Sequence, residues 1–415
     1  MSIPKRPDAL SSLARVSPTT ARGVYVVATL PLPEGGTVSE LVDGALASEL
    51  DRLLTRAVNR GRGVRHGLLA VGDVGGSWIW RGAHGVADPD GTPVTVDTRY
   101  LVASVTKLYT SVVVMRLVER GLITLEDRIV ELLPAEVTKG LHVLEGVDHT
   151  QEITLEHLLS HTSGLPDYYE EAPRGGQSPQ ARLLAGEDVP VPFDEVLRLV
   201  REELTPHFPP QSLDASKRRA VYADTNFQLL GAVVEEVTGK ALRVVFDETL
   251  FGPLRLDDTS SYPERPRSGV AAAPQAAVWS GEVVVEPAGA LTHQVAEGGV
   301  ISTLADQVRF LRAVVGEEVF EAPGTWQRMH QRVNRVFFPV DYGLGVMRYA
   351  PPRWMSPLFA IPPIVGHSGS TATWLFHCPD LGIVTAGTFD VARPPLPFRF
   401  LPRVLRAAAK ADLGT

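Results

Sequence analysis

Ser104-Val105-Thr106-Lys107 opens a stretch with helical character, and residues three apart on a helix share one face. A hydroxyl and an amine at that spacing come within hydrogen-bonding reach. Serine is a weak nucleophile until a neighbouring base takes its proton. A lysine can be that base if burial, a nearby cation or the helix N-terminus keeps its amine partly neutral. Leu101, Val102, Leu108 and Val112 flank the pair and supply apolar surroundings. The competing reading makes Ser104 a helix cap and puts Lys107 on a solvated face; these four residues alone leave both open. Ser2-Ile3-Pro4-Lys5 has the same pattern in a proline-bearing terminus. Only six of the 40 lysines and arginines are lysine: Lys5, Lys107, Lys139, Lys217, Lys240 and Lys410. Arginine cannot act as a base, so a lysine in this chain merits inspection for a titratable role.

The elements that would hold this pair can be traced along the chain. Val42, Leu46, Leu50, Leu53 and Ala57 recur every three or four residues and predict an amphipathic helix over 38–60. The segments 67–74 and 77–89 predict two strands joined at Gly75-Gly76. The helix carrying Lys107 ends at Gly121. Helical periods return at 153–160, 193–204 and 225–237, while 166–192 and 262–290 read as loops rich in Pro, Gly and Ala. A helix over 304–315, strands at 342–349, 364–367, 371–377 and 382–388, and a helix over 401–411 complete the chain. Residues 1–35 read as an N-terminal arm. The expected fold class is α/β (α+β), an antiparallel β-sheet flanked by helices with an inserted mainly helical domain. The expected catalytic domain spans 36–415, with a sheet subdomain (36–120 and 291–415) and a helical subdomain (121–290).

Composition bounds the function. A chain of 415 residues with 44% hydrophobic and 21% charged residues is an ordinary globular protein, which excludes global disorder and fibrous architectures. Its single cysteine, Cys378, cannot form an internal disulfide. The net charge of −8 and scattered arginines argue against nucleic-acid binding. No apolar run of about 18 residues predicts a membrane helix. Residues 1–30 carry charges and prolines where a signal peptide needs an apolar core, so a cytoplasmic location is expected.

Two further segments complete a pattern: Val221-Tyr222-Ala223-Asp224-Thr225-Asn226 and Gly366-His367-Ser368-Gly369-Ser370. With SVTK, YAD and HSG in this order, and with the flanking segments 155–168, 225–239 and 298–315, the chain resembles the serine β-lactamase/penicillin-binding superfamily. Within it, the resemblance is to class C β-lactamase-related hydrolases, esterases and acyltransferases, over roughly residues 65–390. It implies that Ser104 is the nucleophile of an acyl-enzyme, Lys107 its base or proton partner, and Tyr222 a proton relay. It further implies an oxyanion hole from the backbone N–H groups of Ser104 and Ser370, the latter on a strand edge, and substrate contacts from Asp224, His367, Ser368 and Gly369. Asp224 replaces the usual asparagine and would stabilise Lys107 as a cation or bind a substrate amine. His367 replaces a lysine that holds substrate carboxylates in penicillin-recognising members. The implied function is hydrolysis or transfer of an acyl group from an ester, thioester or amide, for instance in natural-product metabolism. The partners are a small-molecule acyl donor and, for transfer, an amine or alcohol acceptor, with no metal or organic cofactor. A D-peptidase or β-lactamase acting on cell-wall peptides, and a non-catalytic scaffold, are the other two readings.

His157 and His161, four apart, have a spacing that can serve a metal but read as packing and turn formation. Cys378 reads as a small buried hydrophobe. The aromatic and proline-rich run from Trp326 to Pro363 reads either as core filling or as one wall of an acyl pocket.

Overall fold

The computed structural model describes residues 44–263, 266–267, 275–285, 288–356 and 359–411. The expected arm over 1–35 lies outside the described residues. Leu46, Leu50, Leu54 and Val58 form one buried stripe along α1 (Gly44–Arg60), which packs on the hairpin of β1 (His66–Asp73) and β2 (Ile79–Gly85). Burying a side chain of this size contributes roughly 1.5–3 kcal/mol, which is why period and packing agree. Both faces of β1 are covered. Leu68 and Ala70 enter one core, while Leu69 and Val71 enter the other, as the two-residue period of a strand requires.

Three long helices follow: α2 (Thr106–Glu119), α3 (Asp224–Thr238) and α4 (Leu304–Val315). The chain then runs through β3 (Asn334–Phe337), β4 (Val340–Tyr342), β5 (Met347–Tyr349), β6 (Ile364–Ser368), β7 (Trp374–Cys378), β8 (Ile383–Thr388) and α5 (Leu396–Ala408). The eight-stranded sheet has the order β3-β4-β5-β6-β7-β8-β1-β2, each neighbouring pair antiparallel. The hairpin from the start of the chain joins the later strands through β1 against β8, with Leu68 opposite Thr388 and Asp73 opposite Ile383. The helices α1 and α5 cover one face, and α4 covers the other. A smaller sheet pairs Tyr100–Leu101 with Val300–Ser302, and that strand with Ser260–Ser261. It ties the segment leading to Ser104 to the one that follows Glu297.

Several boundaries differ from the sequence reading. The strand expected at 371–377 begins at Trp374, because 369–373 form a tight turn. The last helix begins at Leu396, ahead of the expected 401, and contains Pro402. The region 262–290, read as loop, contains a hairpin of Val278–Ser280 with Val283–Val285, and a helix begins within it at Ala288. The β3–β4 hairpin was hidden in the aromatic, proline-rich run. Among the described residues, no helix is long and apolar enough to cross a membrane.

Candidate active site

Ser104 stands in a single helical turn, Ala103–Val105, that runs straight into α2. Ala103 holds φ at +47°, a left-handed conformation costing an L-residue roughly 1–2 kcal/mol. The surroundings enforce it. The Val102 N–H donates to the Val300 carbonyl at 3.0 Å, and the Thr373 hydroxyl donates to the Val102 carbonyl at 2.9 Å. At the start of a helix the Ser104 N–H has no intrahelical acceptor, so it is available to a ligand.

The helix α2 is buried on all sides through most of its length, and that is how Lys107 comes to be fully buried one turn beyond Ser104. Its ammonium donates to Ser104 Oγ at 3.2 Å and to the Glu297 carbonyl at 3.2 Å, and forms an ion pair with Asp224. Burial alone would lower the lysine pKa. Asp224, with help from Glu297, more than offsets it and holds the amine above its ordinary value. Of the two readings of Asp224, the geometry favours the one in which its carboxylate stabilises Lys107 as a cation. Asp224 is the first residue of α3, with Ala223 rather than Asp224 or Thr225 as the cap. The Thr225 hydroxyl instead donates to the Pro166 carbonyl at 2.6 Å. The far end of α3 stops at Gly239, whose φ of +65° is the left-handed conformation glycine adopts at little cost.

Tyr222 lies just before α3. Its ring is half-buried over the Lys107 ammonium, 5.1 Å from Nζ to the ring centre. Its hydroxyl oxygen is buried without a well-formed hydrogen bond. Burial, then Asp224, push the phenol well above its usual pKa, opposed by the neighbouring Ser104 hydroxyl. The Tyr222 phenol is therefore neutral at rest. Its segment is held by His161, whose Nδ1 accepts from the Ala223 N–H at 3.2 Å and from Asn226 Nδ2 at 2.9 Å, and whose carbonyl accepts from the Val221 N–H at 3.0 Å. The rings of His161 and Tyr222 are 4.4 Å apart. His157 caps its own helix through Thr154. The two histidines thus act in packing and turn formation. Among the described residues, no group of His, Cys, Asp or Glu is placed to hold a metal ion.

The end of β6 faces Ser104 from the opposite side. Ser368 is the last residue of that strand, and Ser370 sits in the following turn rather than on the strand edge that the sequence suggested. The Ser370 N–H has no acceptor among the described residues and is free to complete an oxyanion hole with that of Ser104. Gly369 is required by close approach. A Cβ there would lie 2.2 Å from Thr373 Oγ1 and 2.8 Å from the Ala103 methyl. Gly369 also lines the larger of the two cavities beside Ser104. His367 corrects the sequence reading more sharply. It is fully buried, receives the Tyr342 hydroxyl at Nε2 (2.9 Å) and donates Nδ1–H to the Ser368 carbonyl (2.8 Å). Burial, then Lys107, hold its pKa at about 3. It is neutral, bonded within the protein and lines neither of the cavities beside Ser104, so it braces the strand.

Two cavities meet at Ser104. The larger, about 570 Å³, is bounded by Tyr222, Phe338, Met347, Tyr349, Ser368 and Phe398, a mainly apolar and aromatic wall. The aromatic run before β6 therefore serves as pocket wall as well as core. The smaller, about 110 Å³, lies on the other side, between Leu101, Leu183, Leu291 and the carboxyl groups of Glu170, Asp224 and Glu297. Sequence reasoning missed Glu297, Tyr342 and the positioning role of His161. Glu297 carries no motif signal of its own beyond its place just ahead of Gly298-Gly299.

A family profile described as Beta-lactamase matches residues 45–410. The chain belongs to the Beta-lactamase family. Esterase EstB of Burkholderia gladioli is 31% identical over 249 residues, covering 55% of this chain and 56% of that protein. Penicillin-binding protein 4 of Amycolatopsis lactamdurans is 29% identical over 230 residues, covering 54% of this chain and 52% of that protein. These matches thus span little more than half the length of each relative. Among solved structures, EstCE1, described as a hydrolase with promiscuous acyltransferase activity, superposes with a TM-score of 0.68 at 22% identity, over 88% of this chain and 98% of that one. The likeness establishes the Beta-lactamase fold: an antiparallel sheet, flanking helices and a helical insert.

Proposed function

We propose that this chain is a serine acyl-enzyme catalyst that cleaves or transfers a carboxylic acyl group, with Ser104 as nucleophile. The observation that carries this is a hydroxyl 3.2 Å from a buried ammonium whose own counter-ion is a carboxylate, at the junction of two cavities. A cationic Lys107 cannot take a proton. If it passes its proton to Asp224, the buried ion pair becomes a neutral pair, which a low-dielectric site tolerates. The neutral amine then takes the Ser104 proton as Oγ attacks the acyl carbon. The N–H groups of Ser104 and Ser370 receive the developing oxyanion. As the bond to the leaving group breaks, Tyr222 carries the proton to it. Water or an added amine or alcohol then attacks acyl-Ser104 and regenerates the hydroxyl.

The larger cavity suits an apolar or aromatic acyl group, and the partner is a small-molecule acyl donor. The similarity to an esterase supports ester cleavage. The D-peptidase reading draws less support, because neutral, buried His367 brings no cation to a substrate carboxylate. The buried lone thiol of Cys378 suits a reducing cytoplasm, where we place the protein. The test is turnover of p-nitrophenyl esters of increasing acyl length. Release of p-nitrophenol should rise with chain length as the larger cavity fills, and Ser104→Ala should lose at least about a thousandfold in kcat/KM. An acceptor amine or alcohol that speeds donor loss identifies a transferase. Equal turnover by wild type and Ser104→Ala contradicts the assignment.

A further inference from the structure

The smaller cavity is lined by acidic residues that the proposed reaction does not use. Asp224 is committed to Lys107, but Glu170 and Glu297 also line the cavity, and neither forms an ion pair among the described residues. Glu297 is 2% exposed. Its Oε1 accepts from the Tyr168 hydroxyl and from Gln228 Nε2, each at 2.7 Å, while Oε2 has no hydrogen-bond partner. An unpartnered buried carboxylate oxygen at a cavity wall is costly unless a donor or cation arrives there. Glu170 stands at the exposed rim, its Oε1 accepting from Gln180 at 3.1 Å. Aliphatic residues, among them Leu101, Leu183, Val278 and Leu291, make up much of the remaining wall, with Tyr169 and Gln294 beside them.

We propose that this cavity binds a primary ammonium group on a short aliphatic body, seated between Glu170 and Glu297 beside Ser104. The inference rests on the acyl-enzyme reading for its place in the reaction, but binding itself does not. The ammonium has two sources: an amine on the acyl group, or an amine acceptor. In the second case one carboxylate takes a proton from the bound ammonium. The neutral nitrogen then attacks the acyl carbon, the bond from that carbon to Ser104 Oγ breaks, and a second N–H proton returns to Oγ, leaving an amide. Glu297 has its pKa raised to about 8 by burial and then by Asp224, so an arriving cation should displace a proton from it near neutral pH.

Calorimetry with n-butylammonium at about pH 7.5, in buffers of different ionisation enthalpy, should show saturable binding with proton release. The neutral isostere 1-butanol should bind at least about tenfold more weakly. Glu297→Gln, which preserves both acceptor bonds at Oε1, and Glu170→Gln, at the rim where folding is not at stake, should each weaken n-butylammonium about tenfold. Equal binding of amine and alcohol, no binding of either, or unchanged affinity in both variants overturns the site. None of these outcomes depends on Ser104 being reactive, whereas a protein that binds the amine but fails to turn over any ester sinks only the acyl-enzyme reading. Two kinetic arms separate the sources. Preference for p-nitrophenyl 2-aminobutyrate over butyrate, lost in Glu297→Gln, places the amine on the acyl group. Formation of N-butylbutanamide from the butyrate ester and n-butylamine makes it the acceptor.

Discussion

Lys107 and Asp224 form the buried ion pair on which the proposed chemistry turns, and their coupling has a measurable sign. Burial is the largest influence on the lysine and lowers its pKa; Asp224 reverses the outcome. While the pair is intact its proton moves internally, so wild-type kcat/KM for an ester should not rise with pH through a lysine titration. Asp224→Asn removes the carboxylate, leaves burial dominant and drops Lys107 below its usual value. The variant should be slower by about tenfold or more, and its rate should rise with pH through the lowered lysine pKa. An Asp224→Asn profile parallel to wild type would contradict the role given to the pair. At this scale much was legible in the residues: SVTK, YAD and HSG come together around one hydroxyl. The lysine's charge was legible only as one of two readings of Asp224, because it depends on a carboxylate more than a hundred positions away. The burial of His367 was not legible, since a strand motif does not say which face its side chains take.

At the level of elements, the site depends on how closely the β6–β7 turn approaches the segment before α2. Gly369 permits that approach, and Thr373 locks it through the Val102 carbonyl. Gly369→Ala should force the turn away from Ala103 and Ser370 away from the oxyanion position. The expected result is a fall in kcat of at least about tenfold with a stability loss of about 1–3 kcal/mol, measured by ester turnover and urea unfolding. Full activity in this variant would show that the turn has slack. Periodicity revealed the long elements, α1, α2, α3 and α4, because each has a clear apolar pattern. It failed for β3 and β4, where Phe337, Phe338 and Pro339 masked a hairpin, and at the start of α5, which begins at Leu396, ahead of the expected 401.

For the molecule as a whole, both ends of the described chain enter one sheet, and buried carboxyl groups couple its stability to pH. Glu297 titrates at about 8 when folded against an ordinary 4.5. The folded protein therefore keeps a proton that the unfolded chain releases, so this contribution is full below about pH 4.5 and is lost as pH rises through about 8. Glu297→Gln should remove this contribution, so between about pH 5 and 8 the melting temperature of the variant should fall less, or rise more, with pH than that of wild type, by a share of at most roughly 1.4 kcal/mol per pH unit. An unchanged slope would mean that Glu297 is solvated in solution. Fold class was legible from the order of helix, hairpin, helical middle and closing strands; the two cavities were not, because their walls come from segments far apart in sequence. The central claim is that each chain forms one acyl-enzyme on Ser104. Intact-mass analysis after acid quenching of p-nitrophenyl butyrate turnover, and after fluorophosphonate treatment, tests it directly. A single added group per chain, mapped to the peptide holding Ser104 and absent in Ser104→Ala, is the expected result; an adduct that persists in that variant, or none in wild type, would contradict the account.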